Sequence, residues 1–165
     1  MLVRAEEPRD IPAIFAVHCA SFATDAEARL VDSLRAAGRL SVSLVADAND
    51  AIVGHVAFSP VSTASGAVGI GLGPLAVLES HRRKGVGARL VDSGLAQFRS
   101  AGFGWAVVLG DPAYYARFGF RPASLFGLSD EFNGGPAFQA LELMAGQLPL
   151  GSGLVRYSAE FAEFA

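Results

Sequence analysis

The densest chemistry in the chain lies in Arg82-Arg83-Lys84-Gly85-Val86-Gly87. Three cations stand before two glycines, and the only lysine of the sequence is among them. Glycine at 85 and 87 permits a tight bend and leaves main-chain N–H groups uncovered. From Val86 onward, Leu90, Val91, Leu95 and Phe98 recur at helical spacing, with Arg89, Asp92, Ser93 and Gln97 on the opposite face. The first turn of such a helix carries unpaired N–H donors and the positive end of the helix dipole. A basic glycine turn leading into it makes a seat for a multiply charged phosphate ligand. The competing reading is a plain turn flanked by solvated cations. A P-loop is excluded, because the spacing to a Lys-Ser/Thr pair is wrong. Gly69, Gly71 and Gly73 are followed by more strand and open no helix, so they do not form a dinucleotide fingerprint.

Proton-handling residues form a second group. Tyr114 and Tyr115 follow Asp111-Pro112. A phenol of pKa about 10 stays protonated at neutral pH and can donate to a leaving group. Both tyrosines could equally be packing residues, and Tyr114 is expected to be one. Glu27, Glu79, His55 and His81 could each accept a proton, and an ordered-water relay would serve as well. His18 falls at the spacing of Ile11, Ile14, Phe15 and Phe22, which fits the edge of a core. No metal site is expected.

These residues need a scaffold, and 165 residues are enough for one domain with a real core. A hydrophobic content of 52% argues against disorder. The formal charge of −3 argues against nucleic acid as partner. Cys19 is the sole cysteine, so no internal disulfide can form, which fits a reducing, cytoplasmic setting. Charges within the first ten residues argue against a secretory signal. The segment Val56 to Leu78 is uncharged and long enough for a bilayer, yet Pro60, Pro74 and four glycines favour strands and a turn. The apolar C-terminal third leaves room for a homodimer surface.

Leu2 to Glu6 reads as a strand, and Asp10 as the cap of a helix with Pro12 in its first turn. Thr24-Asp25-Ala26-Glu27 has the pattern of a capping box, and Gly38 stops the helix it opens. Val42 to Ala46 and Ile52 to Phe58 are strands, Ser59 to Ser65 a loop, and Ala67 to Val77 a long strand. Pro74 cannot donate a ladder hydrogen bond, so a bulge or splay is expected there. Trp105 to Leu109 is a buried strand, and Asp111-Pro112 opens a short helix ended by Gly119. Phe120 starts a sixth strand, Ala137 to Met144 forms a seventh, and Leu154 to Tyr157 is a short edge strand or tail. The class is α/β or α+β: a mixed, mostly antiparallel sheet of about seven strands flanked by four helices.

Two motifs in this order resemble the GNAT acetyltransferase superfamily. Arg82-Arg83-Lys84-Gly85-Val86-Gly87 is similar to its Q/R-x-x-G-x-G/A signature, and Tyr115-Ala116-Arg117-Phe118-Gly119-Phe120 to its later Y-x-x-x-G-F signature. The tyrosine pair and the two N-terminal helices look most like the YhbS-like bacterial branch. The resemblance implies acetyl-CoA as donor and a small-molecule or peptide amine as acceptor. It implies that the backbone of Leu75, Ala76 and Val77 pairs with the pantetheine arm. The backbone of Arg82, Arg83, Lys84, Gly85, Val86 and Gly87 would hold the pyrophosphate, and Tyr115 would be the general acid. The first two helices and the loop Ser59 to Ser65 would wall the acceptor. Asp111 stands where many relatives have Asn. A non-catalytic acyl-CoA-binding or interaction module on the same fold is the alternative, and acceptor-dependent thiol release separates the two.

Overall fold

A computed structural model describes residues 1–164. One nine-stranded sheet forms its centre: β1 (Leu2–Ala5), β2 (Val42–Ala48), β3 (Ala51–Thr63), β4 (Val68–Val77), β5 (Trp105–Leu109), β6 (Arg121–Pro122), β7 (Leu128–Asp130), β8 (Phe138–Glu142) and β9 (Gly153–Arg156). Four helices accompany it: α1 (Ile11–Ser21), α2 (Ala26–Ala36), α3 (Val86–Ser100) and α4 (Pro112–Tyr115). Along the path β1-β2-β3-β4-β5-β8-β6 every step is antiparallel except β4–β5. The mixed α+β architecture is as expected, with nine strands rather than seven. The missed strand, β7, has only three residues and so no readable alternation; it pairs with β9, the expected edge strand.

Helix α3 buries Val86, Leu90, Val91, Leu95 and Phe98 against Leu44, Val56, Phe58, Ile70 and Leu72 of the sheet. Each such side chain contributes about 1.5–3 kcal/mol on burial. Gly94 lets the helix sit close, since a Cβ there would lie 2.2 Å from the Phe58 ring. Helices α1 and α2 pack through Ile14 and Val31 onto Val45 and Ala57. Trp105, Val107, Phe138, Val155 and Tyr157 form a separate apolar cluster.

Three local expectations are corrected. Ser59 to Ser65 is not a loop, because β3 continues through Thr63. Pro60 is tolerated there because it falls between Val42, the first residue of β2, opposite Phe58, and Arg156, the last of β9, opposite Ser62. Asp10 precedes α1 but makes no capping bond to it; Arg4 takes both of its oxygens, at 2.7 and 3.0 Å, and the Glu7 N–H donates to it. Thr24-Asp25-Ala26-Glu27 makes no capping box, and the only cap-like bond is from the Ala26 N–H to Thr24 at 3.2 Å. Glu27 is thereby left to other uses.

The feature that matters for function lies between β4 and β5. They pair at Ile70–Ala106, Gly71–Val107 and Leu72–Val108 and then part. The β3–β4 register also slips between Val56 and Phe58, so that Gly73 and Pro74 together stand opposite Ala57, one residue extra on β4. Gly73 has φ +134, a conformation suited to glycine. The expected splay at Pro74 is therefore real. Beyond it Leu75, Ala76 and Val77 pair with β3 on one side only, so their other edge is open.

Candidate active site

The parting of β4 from β5 opens a cavity of about 1080 Å³. Its walls come from distant parts of the chain: the end of α1, the start of α2, β4, the turn before α3, the end of β5, α4 and the C-terminal segment.

At one end lie Arg82, Arg83, Gly85, Val86 and Gly87. Gly85 is the N-cap of α3 with φ +79, and Arg83 also adopts a positive φ, +62. The bend thus turns successive N–H groups toward one concavity. No acidic side chain occupies the first turn of α3, so its dipole is uncompensated. The Arg82 guanidinium donates to the Val77 carbonyl at 2.9 Å, tying the turn to the open edge of β4. A Cβ on Gly87 would stand 2.6 Å from the Tyr114 hydroxyl, so the missing side chain keeps this floor clear. Lys84 is exposed and does not line the cavity, whereas the other eight expected contact residues all do. The cradle fits a pyrophosphate and the open strand edge fits an amide-bearing arm.

Tyr114 and Tyr115 both line the middle of the cavity. Asp111 accepts from the Ala113 N–H at 3.0 Å and starts α4, with Pro112 in its first position. That one-turn helix places the Tyr115 ring against Gly110, where a Cβ would approach it to 2.4 Å. Burial raises the Tyr115 phenol above its ordinary value and neighbouring Tyr114 adds to it, so the group is protonated across the neutral range. Tyr114, expected only to pack, also borders the turn: its hydroxyl reaches Gly87, and the Arg117 guanidinium stacks 4.2 Å from its ring.

The four candidate proton acceptors separate. Glu27 and His81 line the cavity. Glu79 is exposed and outside the lining. His55 is fully buried: it shares a hydrogen bond with His18 at 2.8 Å and another with Ser43 at 2.7 Å. Burial pulls His18 down to about 4 and His55 well below its usual range, so both are neutral and structural. His18 is thus a core residue in full. Among the described residues no cluster of His, Cys, Asp or Glu could hold a metal.

Of the remaining wall, only the part from the two N-terminal helices was expected. Phe22, Leu30, Phe132, Tyr157 and Phe161 line the cavity, while no residue of Ser59 to Ser65 does. Phe132, Tyr157 and Phe161 carry no motif; only their joint packing reveals them.

Residues 39–122 match the acetyltransferase (GNAT) domain model, half of the chain. The uncharacterized N-acetyltransferase YhbS of Escherichia coli (strain K12) is 42% identical, covering 99% of this chain and all of that protein. The chain belongs to the GNAT acetyltransferases. The crystal structure of Escherichia coli YhbS in complex with CoA superposes with a TM-score of 0.94 at 41% identity, covering 99% of this chain and 93% of that one. A GNAT family acetyltransferase from Brucella melitensis in complex with acetyl-CoA gives a TM-score of 0.81 at 37% identity, with 97% of each chain covered. This GNAT chain is accordingly an N-acetyltransferase of the YhbS-like branch. No helix among its described residues is long and apolar enough to cross a membrane.

Proposed function

We propose that the protein moves an acetyl group from acetyl-CoA to a primary amine, with Tyr115 as general acid and the β4 edge and basic turn as the coenzyme seat. The observation that carries this reading is the open main-chain edge at Leu75, Ala76 and Val77, ending at a turn of Arg82, Arg83, Lys84, Gly85, Val86 and Gly87. Bound acetyl-CoA supplies an activated acyl group as a thioester. The chain's own task is to orient it, stabilise charge and move two protons.

An amine of lysine type has pKa about 10.4, so shedding its proton at pH 7 costs about 4–5 kcal/mol. Glu27 is a carboxylate in the cavity lining and receives that proton, directly or through water. Main-chain N–H groups beside Gly73-Pro74 face developing negative charge on the thioester oxygen. The protonated Tyr115 phenol then neutralises the departing thiolate, and the second proton shed by the acylated nitrogen restores the phenol. Family membership and a donor-equipped cavity favour this over the non-catalytic binding module. Cys19 is a free thiol, in keeping with a cytoplasmic setting. Leu125, Leu150 and Leu154 expose apolar surface in the last third and support a homodimer; a light-scattering mass of one chain would remove that part.

The test is calorimetry with acetyl-CoA combined with thiol release over an amine panel. Saturable binding with acceptor-dependent thiol release is expected. Binding without release on any amine would favour the non-catalytic module.

A further inference from the structure

The rest of the cavity lining has a chemistry of its own. Tyr157 packs edge-on against Phe132, ring centroids 5.9 Å apart, and at a tilt against Phe161, 5.0 Å apart. The Tyr157 ring lies over Gly71, where a Cβ would meet it at 3.1 Å. Gly71 is the residue just before Leu72, the last to pair with β5, so this aromatic group adjoins the point where the strands part. Phe22 and Leu30 complete the wall from α1's end and α2.

Polar groups are few. Glu27 and the exposed Asp111 are the only acidic residues lining the cavity. Glu27 is half-buried and has no ion pair among the described residues, although Asp25 beside it is paired with Arg29. Tyr157 is only 8% exposed, and its hydroxyl is buried with no hydrogen-bond partner. A polycation such as a polyamine or aminoglycoside needs several anionic partners, which this wall does not offer. A flat apolar body gains from burial against aromatic faces, and such a wall can order it.

Resting on the acetyl-transfer reading above, we propose that the acceptor is a primary amine on an aryl or similarly flat apolar body. The ring sits among Phe22, Leu30, Phe132, Tyr157 and Phe161, and the amine faces Glu27.

The test measures thiol release from acetyl-CoA by the full chain with 2-phenylethylamine, tyramine, ethylamine, spermidine and a lysine peptide. The aryl amines are expected to exceed ethylamine and spermidine in kcat/KM by at least about tenfold, the low end of what a single methylene contributes in an apolar pocket. Phe161→Ala and Phe132→Ala should each erode that ratio while calorimetric affinity for acetyl-CoA holds. A ratio near one, or a preference for spermidine or the peptide, overturns the proposal. If no amine is turned over, 2-phenylethylamine is titrated into the protein–CoA complex instead. Saturable binding weakened by Phe161→Ala keeps the aryl seat and removes the transfer chemistry; no binding removes the seat.

Discussion

The two ends of the one cavity are built on opposite plans. The proposed coenzyme end is nearly continuous in sequence, from Leu75 to Gly87, and offers main-chain atoms. The proposed acceptor end collects single side chains from five places: Phe22, Glu27 with Leu30, Phe132, Tyr157 and Phe161. A main-chain seat requires that side chains be absent or bent away, as at Gly85 with φ +79 and at Gly87 beneath Tyr114. Such demands leave glycines at fixed spacing. A side-chain seat asks only for shape and polarity, and its aromatics look like any core residue until the fold brings them together.

The contrast can be broken at several points. The largest effect is expected midway between the ends: Tyr115→Phe should lower kcat between about 10² and 10⁴-fold at pH 7 while acetyl-CoA affinity holds. Steady-state kinetics with calorimetry decides, and an unchanged kcat would relieve Tyr115 of its role. Acid should then act on the helical layer behind the acceptor end. His18, on α1, is held at about 4 when folded, against about 6.5 in an unfolded chain. Its contribution is present above pH 6.5 and is lost as pH falls toward 4, because the unfolded chain takes up the proton first. Across that window His18 alone accounts for about 3 kcal/mol, and His55 shifts in the same direction. Urea midpoints at pH 7.5 and 4.5 measure it, and His18→Gln should flatten the profile; equal slopes in the two proteins would contradict the assignment.

Smaller effects should stay at one end. Gly87→Val fills the floor of the phosphate seat and should weaken acetyl-CoA binding about thirtyfold, the equivalent of about 2 kcal/mol of charge-assisted hydrogen bonding. Acceptor binding to the CoA-saturated enzyme should be little altered. Glu27→Gln should do the reverse, lowering kcat/KM for the acceptor by at least about tenfold through loss of the proton acceptor and of roughly one charged hydrogen bond, with acetyl-CoA affinity unchanged. If Glu27→Gln weakened acetyl-CoA instead, the division of the cavity would be wrong.

What could be read in the sequence follows the same division. The basic turn, α3 and the splay at Pro74 were legible because glycine, proline and helical spacing each impose a backbone conformation. The tyrosine pair was legible by position, although Tyr114 shows its reach to Gly87 only in three dimensions. Ser59 to Ser65 misled because Pro60 and its hydroxyl neighbours have turn composition, while the gap between β2 and β9 makes room for a strand. β7 was too short to show a period. The Asp10 cap failed because Arg4, 2.7 Å away, is a stronger partner for a carboxylate than a helix N–H. The four candidates Glu27, Glu79, His55 and His81 could not be narrowed in sequence, since only the fold shows that Glu27 and His81 reach the cavity wall while Glu79 and His55 do not.

Amide hydrogen exchange with and without saturating acetyl-CoA tests the main-chain seat most directly. Protection is expected at the amides of residues 75–77 and 83–88, with β1 and β2 unaffected. Protection confined to other segments, or none at a concentration where calorimetry shows binding, would contradict the idea that backbone atoms of the parted strand and the basic turn hold the coenzyme.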